Sequence, residues 1–264
     1  MTVRIVPTLS AMAEIYRLST DGGPESPRFR RYVELAKDGT PVSGYNPMTS
    51  KDALGTVEAL LAIDAEDKAE DTANHFAEEL GIDGDVDISI TVATPGAWTD
   101  RLATEIEHRL GGRRWKEIVL WTGEDVGEDT LRAATTAQTV RVGWALLHRP
   151  PRSVTHAAGQ EGLAAAVADA AAIGGDSGAA SPSVDDPADR SVAAALDVFG
   201  DETDLSSRAA LLYGDEVARQ FGWMPLGVQP SAGYGYVKAR AAVALKDRSA
   251  KELLRDAWTP GTSP

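Results

Sequence analysis

The sequence predicts a helix-rich α/β or α+β fold, in which helices cover a small sheet. Two strand-forming runs, at 85–93 and 115–122, flank an amphipathic segment, and a long helical segment follows the second run. The order strand, helix, strand, helix is typical of an α/β layer. The first run alternates apolar and polar residues, which predicts one covered and one wetter sheet face. The second run is apolar on both faces at 118–121, which predicts a central strand.

Helical periodicity precedes the first strand run. Two short helices are predicted at 9–18 and 26–36, where apolar residues recur on one helical face. A longer helix is predicted from 49 to 80, because a capping pattern opens it and a glycine follows its end. That helix is about 45 Å long, which favours a bend. Its charged run at 64–71 is interpreted as a solvated face.

The chain after the second strand run is predicted to be largely helical. A helix with an apolar stripe ends before Pro150, and the segment 232–245 is ambiguous between strand and helix. Further helices are predicted at 156–172, 191–200, 204–222 and, after a capping box, 249–258.

A linker divides the chain in this prediction. Residues 174–189 are rich in Gly, Ser, Pro and Asp and have no apolar period. They separate a core domain, 1–173, from a helical C-terminal segment, 190–264. Because about 75 residues is small for an independent domain, we expect that segment to pack on the core.

The charge and the absence of cysteine exclude several classes of function. The formal charge is −14, from 26 basic and 40 acidic residues. Long-range attraction to nucleic acid or to an anionic membrane is therefore weak, and neither partner is expected. With no cysteine in the chain, disulfides, thiolate metal sites and cysteine nucleophiles are ruled out.

The composition also indicates where the protein resides. No apolar run approaches the roughly 20 residues of a membrane span, and the N-terminus lacks the pattern of a secretory signal. A soluble, cytoplasmic protein is therefore expected. Basic residues that are mostly arginine, together with abundant alanine, are typical of a GC-rich bacterial genome.

The candidate site lies at the carboxyl ends of the two strand runs, where ligands bind in open α/β sheets. The candidate catalytic residues there are Glu124, Asp125, Glu105 and His108. The candidate ligand-binding residues are Thr94, Gly96, Thr122, Gly123 and, in a polar-aromatic loop, Tyr45 and Asn46. Glycine next to the strand end leaves room for a ligand, and the carboxylates supply acid–base groups.

Each of these assignments has an ordinary structural alternative. Glu105 and His108 form one Glu-x-x-His motif, whereas di-metal sites use two, so no metal is predicted; the alternative is an exposed polar helix face. Asp125 or Glu128 alternatively caps the next helix. The turn 94–96 alternatively only starts a helix. The phosphate-loop, dinucleotide, serine-hydrolase and zinc-protease patterns are absent.

Two functions of different classes remain. The first, which we favour, is a small-metabolite enzyme or ligand-binding protein with its site at the strand ends. The alternative is a non-catalytic accessory or oligomer-forming protein, which binds a partner chain or its own copy through apolar helices and six tryptophans. A concave pocket holding the four candidate catalytic residues favours the first, and an exposed apolar helix face of several hundred Å² favours the second. No cofactor is assigned.

Overall fold

The computed structural model describes residues 2–38, 52–96, 100–111, 116–173 and 186–261. The helix-rich α/β class is confirmed, because helices dominate these residues and the strands form one small parallel sheet. The first elements are β1 (Thr2–Val6), α1 (Leu9–Arg17), α2 (Pro27–Lys37), α3 (Asp52–Ala62), α4 (Ala65–Leu80), β2 (Asp85–Ala93), α5 (Arg101–Leu110) and β3 (Glu117–Trp121). The later elements are α6 (Glu128–His148), α7 (Val154–Ile173), α8 (Pro187–Phe199), α9 (Leu205–Tyr213), α10 (Asp215–Gln220), α11 (Ala232–Asp247) and α12 (Ala250–Arg255).

The sheet has the strand order β1-β2-β3 and is parallel throughout. The two predicted strands are adjacent, and their apolar residues Ile88, Ile90, Val92, Ile118 and Leu120 are all buried. The prediction that the second run is the central strand is wrong, since β1 pairs with the other side of β2. β1 was not predicted at all, because five residues with three apolar positions give too short a pattern.

The predicted wetter face of β2 is also corrected. Ser89 and Thr91 lie on the polar face of the alternating pattern, yet they are only 5% and 1% exposed. Every residue from Ser89 to the end of β2 is buried. Both faces of this strand are therefore covered, as is typical of the middle strand of a parallel sheet.

The long helix predicted from 49 to 80 is two helices. α3 ends at Ala62 and α4 begins at Ala65, with Asp64 between them at a left-handed φ of 51°. The predicted bend is thus a break between two separate helices. Residues 49–51, at the predicted start, lie outside the described residues.

Side chains of α4 cover the free edge of β1. The Val3 amide donates to Asn74 Oδ1, and the Asn74 amide donates back to the Val3 carbonyl, both at 2.8 Å. The Ile5 amide donates to Glu70 Oε2 at 2.8 Å, and the Leu9 amide donates to Glu66 Oε1 at 2.9 Å. The interpretation of 64–71 as a solvated face is therefore wrong for these two glutamates.

The spacing of helix and strand explains this hydrogen-bond ladder. Glu70 and Asn74 are one helical turn apart, about 6 Å along α4, while Ile5 and Val3 are two residues apart, about 6.6 Å along β1. The two repeats nearly match, so successive turns of the helix meet successive outward-facing amides. The side chains replace the neighbouring strand that an edge strand lacks.

The C-terminal predictions are confirmed in part. The ambiguous segment 232–245 is helical, within α11, and Ser249 and Glu252 form the predicted capping box of α12. The helix predicted at 204–222 is split at Gly214, whose φ is 90° and where an added Cβ would lie 2.5 Å from the Gln229 carbonyl.

The predicted linker lies mostly outside the described residues. Residues 187–189 form the first turn of α8, which Asp186 caps through the Ala188 amide. The division of the chain at 174–189 stays a prediction. Among the described residues, no helix is both long enough and apolar enough to cross a membrane.

The chain forms two compact units, each built from several stretches of sequence. The first comprises Met1–Glu78, Asp83–Glu105 and Lys116–Thr135, and it contains the sheet. The second comprises Glu79–Ile82, Ile106–Trp115 and Thr136–Pro264. In the second unit α7 packs closely on α11, since a Cβ at Gly162 would lie 2.6 Å from the Val237 carbonyl.

Candidate functional site

The carboxyl ends of β2 and β3 lie side by side in the first unit. The Thr122 amide donates to the Ala93 carbonyl at 2.9 Å, so the pairing of the two strands continues to their last residues. Gly123 then turns the chain at a φ of 86°, a left-handed conformation that favours glycine. The Glu124 amide closes this turn on the Trp121 carbonyl at 3.3 Å. The structure therefore places Thr94, Thr122 and Gly123 at one edge of the sheet.

Arg101, in the first turn of α5, organises this edge. Its Nη2 donates to Glu124 Oε1 at 2.5 Å, and its Nε donates to Glu105 Oε1 at 2.9 Å. The guanidinium carbon also lies 5.2 Å from the centre of the Trp121 ring. Burial lowers the pKa of Arg101, but hydrogen bonds and charge attraction from the two carboxylates outweigh it and raise the pKa.

Arg101 changes the roles of the two predicted glutamates. Sequence reasoning counted this arginine only as part of a polar helix face, although its i,i+4 spacing to Glu105 signals an ion pair. Because Glu105 and Glu124 both accept from one guanidinium, they hold Arg101 against Trp121. Neither carboxylate is therefore available as an unpaired base in this arrangement.

Asp125 forms a local turn before α6 and accepts no hydrogen bond from an amide inside that helix among the described residues. Its Oδ1 accepts from the Gly127 amide at 3.1 Å, two residues along the chain. This is a local turn of the kind that aspartate forms before a helix. The side chain is exposed and belongs to the loop that leads into α6.

The predicted ligand-binding residues differ in their surroundings. Thr94 Oγ1 is buried and forms no hydrogen bond within the described part of the chain. Gly96 is exposed, and residues 97–99 after it lie outside the described residues. Tyr45 and Asn46 also lie outside them. A buried hydroxyl without a partner is costly in a native protein and marks a place for a polar ligand atom or a water.

His108 is not part of the sheet edge. The boundary between the two units falls within α5, so that Glu105 belongs to the first unit and His108 to the second. The interpretation of His108 as part of an exposed polar face is wrong, because the residue is 7% exposed. It lines a small cavity of the second unit.

A second feature of the first unit is a cleft between α4 and the start of α6. Its volume is about 290 Å³, and it is lined by Lys68, Asp71, Thr72, Glu128, Asp129, Leu131 and Arg132. Lys68 forms an ion pair with Glu128, which connects the two helices. α4 meets the carboxyl end of β1 through Glu66, and α6 follows the carboxyl end of β3. Sequence reasoning missed the cleft, because no sequence motif joins residues 68–72 to 128–132.

The described part of the chain was also compared with the requirements of a metal centre. Within the described ranges, no group of three or more His, Asp or Glu side chains is arranged to hold a metal ion. Comparisons with known proteins add no further assignment. No protein-family model matches the chain, and no curated protein and no solved structure is significantly similar to it.

Substitution of Glu124 by glutamine is expected to change stability little. Its ion pair with Arg101 joins side chains that are 40% and 45% exposed, and exposed pairs contribute less than about 1 kcal/mol. We expect the melting temperature to fall by less than about 2 °C in a thermal denaturation scan. A larger loss would show that the contact of Arg101 with Trp121 depends on Glu124.

Proposed function

We propose that this protein binds a small zwitterionic metabolite, of the size and charge of a free amino acid, in the cleft between α4 and the start of α6. The observation that carries the proposal is the lining of the cleft, which combines cationic and anionic side chains around about 290 Å³. That volume is near the lower end of the range for ligand pockets, which favours a small molecule over a drug-sized one.

The distribution of charge supports a ligand with two opposite charges. Arg132 offers a planar guanidinium that matches the geometry of a carboxylate. Asp71 and Asp129 offer carboxylates to an ammonium group. Lys68 and Glu128 pair with each other and so contribute little net charge. A ligand with two opposite charges can use both sets of these side chains, whereas a ligand with one charged group can use only one set.

The position of the cleft also supports the proposal. In open α/β sheets, ligands bind beyond the carboxyl ends of the strands. The cleft uses the first turns of α6, which begins seven residues after the last residue of β3. It also uses the half of α4 that meets the end of β1. The sequence-based proposal of a site at the strand ends is thus kept, while its residues shift from Glu124 and Asp125 to the cleft.

Isothermal titration with alanine, aspartate and lysine as probes tests this function. We expect saturable binding of at least one of them. Propionate, which lacks the ammonium group, and ethylamine, which lacks the carboxylate, are expected to bind at least about tenfold more weakly, a difference of about 1.4 kcal/mol. Absence of saturable binding by all three amino acids up to about 10 mM would contradict the proposal.

A matched pair of variants assigns the binding to the cleft. Arg132→Gln removes the guanidinium that is proposed to bind the carboxylate of the ligand. We expect it to weaken amino-acid binding about tenfold or more. Arg30→Gln is the control, because Arg30 is exposed, lies on α2 and pairs with Glu25 outside the cleft. Equal loss of affinity in both variants would place the ligand elsewhere.

The alternative function, binding of a partner chain through an apolar helix face, has less support. Among the described residues, the large hydrophobic side chains that are exposed are Leu146, Leu147, Val198 and Met224. Only the first two are neighbours in the sequence. Scattered exposed hydrophobic residues are normal on a protein surface, so we favour the ligand-binding function.

A further inference from the structure

We propose that two copies of this chain form a dimer by pairing their β3 strands antiparallel, about a twofold axis at Val119. Each sheet has three strands, so the dimer joins them into one sheet of six. The surface involved is the free edge of β3. It differs from the cleft of the proposed function and from the apolar helix face considered above.

The two edges of the sheet are not protected in the same way. Glu70 and Asn74, on α4, hydrogen-bond to the edge of β1 and take the place of a neighbouring strand. Within the described ranges, β3 pairs with β2 alone, and no second strand lies at its other edge. Residues 118–121 contain no charged residue and no proline, which commonly protect an edge strand. An edge of this composition is a template for another strand.

The pairing of β2 with β3 shows which backbone groups point to the free edge. The Ser89 amide donates to the Lys116 carbonyl at 3.0 Å, and the Thr122 amide donates to the Ala93 carbonyl at 2.9 Å. Because successive residues of a strand direct their backbone groups to opposite sides, the even-numbered residues of β3 bond to β2. The odd-numbered residues of β3 therefore direct their amides and carbonyls away from β2.

These outward groups fit a second copy of the same strand. Among the described residues, the amides of Val119 and Trp121 have no hydrogen-bond partner. In an antiparallel pair centred on Val119, each Val119 amide donates to the Val119 carbonyl of the other copy. Each Trp121 amide then donates to the Glu117 carbonyl of the other copy, and a carbonyl can accept two hydrogen bonds. One register thus satisfies the same groups on both strands, as a twofold interface requires.

The charges at the two ends of β3 are complementary in this register. The start of the strand carries Lys116 and Glu117, and the exposed ion pair of Arg101 with Glu124 lies at its end. Antiparallel pairing places Glu117 opposite Trp121 of the second copy, whose ring centre lies 5.2 Å from the guanidinium carbon of its own Arg101. It also brings Lys116 to the turn that carries Glu124 of that copy. Opposite charges therefore meet at both ends, while the centre of the strand is uncharged.

Hydrogen exchange of the wild-type protein tests this pairing directly. The Leu120 amide bonds to β2, so it should be protected at every protein concentration. The Val119 amide gains a partner only in the dimer. Its protection is expected to rise at least about threefold between about 10 µM and about 1 mM protein. A Val119 amide that exchanges equally fast at both concentrations would overturn the proposal.

Sedimentation equilibrium measures the same association. In about 0.15 M salt, the −14 charge of each copy is screened beyond about 8 Å. We expect the average mass to rise from that of one chain towards that of two as the concentration approaches about 1 mM. The mass of a single chain at that concentration would contradict the dimer and leave the edge of β3 to a strand of a different protein.

A pair of charge variants tests the position of the twofold axis. Val119→Lys and Val119→Glu each place like charges directly opposite each other, which should weaken dimerisation at least about tenfold. An equimolar mixture places lysine opposite glutamate and is expected to restore most of the dimer. Val198→Lys, at an exposed position of α8, is the control and should dimerise like the wild type. Dimerisation that neither charge weakens, or that the mixture does not restore, would rule out the axis at Val119. If the variants do not fold, exchange of the wild-type Val119 amide decides.

Discussion

Replacement of Glu161 by glutamine is expected to lower the free energy of unfolding by about 3–5 kcal/mol, the largest effect that we expect from one side chain here. Glu161 is fully buried, and it accepts two hydrogen bonds from Arg141 at 2.8 Å. Glutamine keeps the shape but removes the charge, so the buried Arg141 loses its counter-ion. Denaturation with urea, followed by circular dichroism, measures the loss.

Two further variants separate the ion pair from its position in the core. Glu216→Gln makes the same chemical change at an exposed position of α10 and should stay within about 0.5 kcal/mol of the wild type. The double variant Arg141→Met, Glu161→Leu removes both charges and should recover most of the stability. A loss below about 1 kcal/mol for Glu161→Gln would mean that water already screens the pair.

The ion pair also predicts how stability depends on pH. Burial raises the pKa of Glu161, but attraction and hydrogen bonds from Arg141 outweigh it and hold the pKa below the ordinary value of 4.5. A carboxylate with a lowered folded-state pKa stabilises the protein above its unfolded pKa and loses that effect as the pH falls through the folded pKa. The stability difference between wild type and Glu161→Gln should therefore shrink below about pH 4.5.

The sequence predicted the parts of the fold that depend on local pattern. Alternation at 85–93 and the apolar run at 118–121 are properties of the segments themselves, and both segments are strands. β1 could not be recognised in this way, because five residues fall short of a clear alternating pattern. Its edge is completed by Glu70 and Asn74 from α4, a tertiary contact between residues about seventy positions apart.

The sequence predicts where the strand ends meet, and that a ligand site lies there stays a prediction. The rule for strand ends located the edge where Thr94 and Gly123 lie, because that rule depends on topology alone. Arg101 had one local signal, its i,i+4 spacing to Glu105, although the positive end of the helix dipole disfavours a cation in the first helical turn. Glu124 and the Trp121 ring also offset that effect, and they meet Arg101 only in the folded chain.

Substitution of Asn74 by alanine is expected to lower the free energy of unfolding by about 2–3 kcal/mol. Asn74 is the one ladder residue that both accepts from and donates to the same residue, Val3, and each hydrogen bond is 2.8 Å long. Alanine is the best helix former, so α4 itself is not weakened. The cost arises on β1, where a partly buried amide and a carbonyl lose their partners, at about 1–3 kcal/mol each.

Hydrogen exchange distinguishes this mechanism from general destabilisation. In Asn74→Ala, the Val3 amide should exchange much faster under native conditions, while the Ile88 amide, on the central strand of the sheet, should keep its protection relative to global unfolding. Glu78→Ala, at an exposed position of α4, is the control and should leave both amides unchanged. If Val3 is no more labile in Asn74→Ala than in Glu78→Ala, the ladder does not protect the edge of β1. The stability loss would then belong to α4 alone.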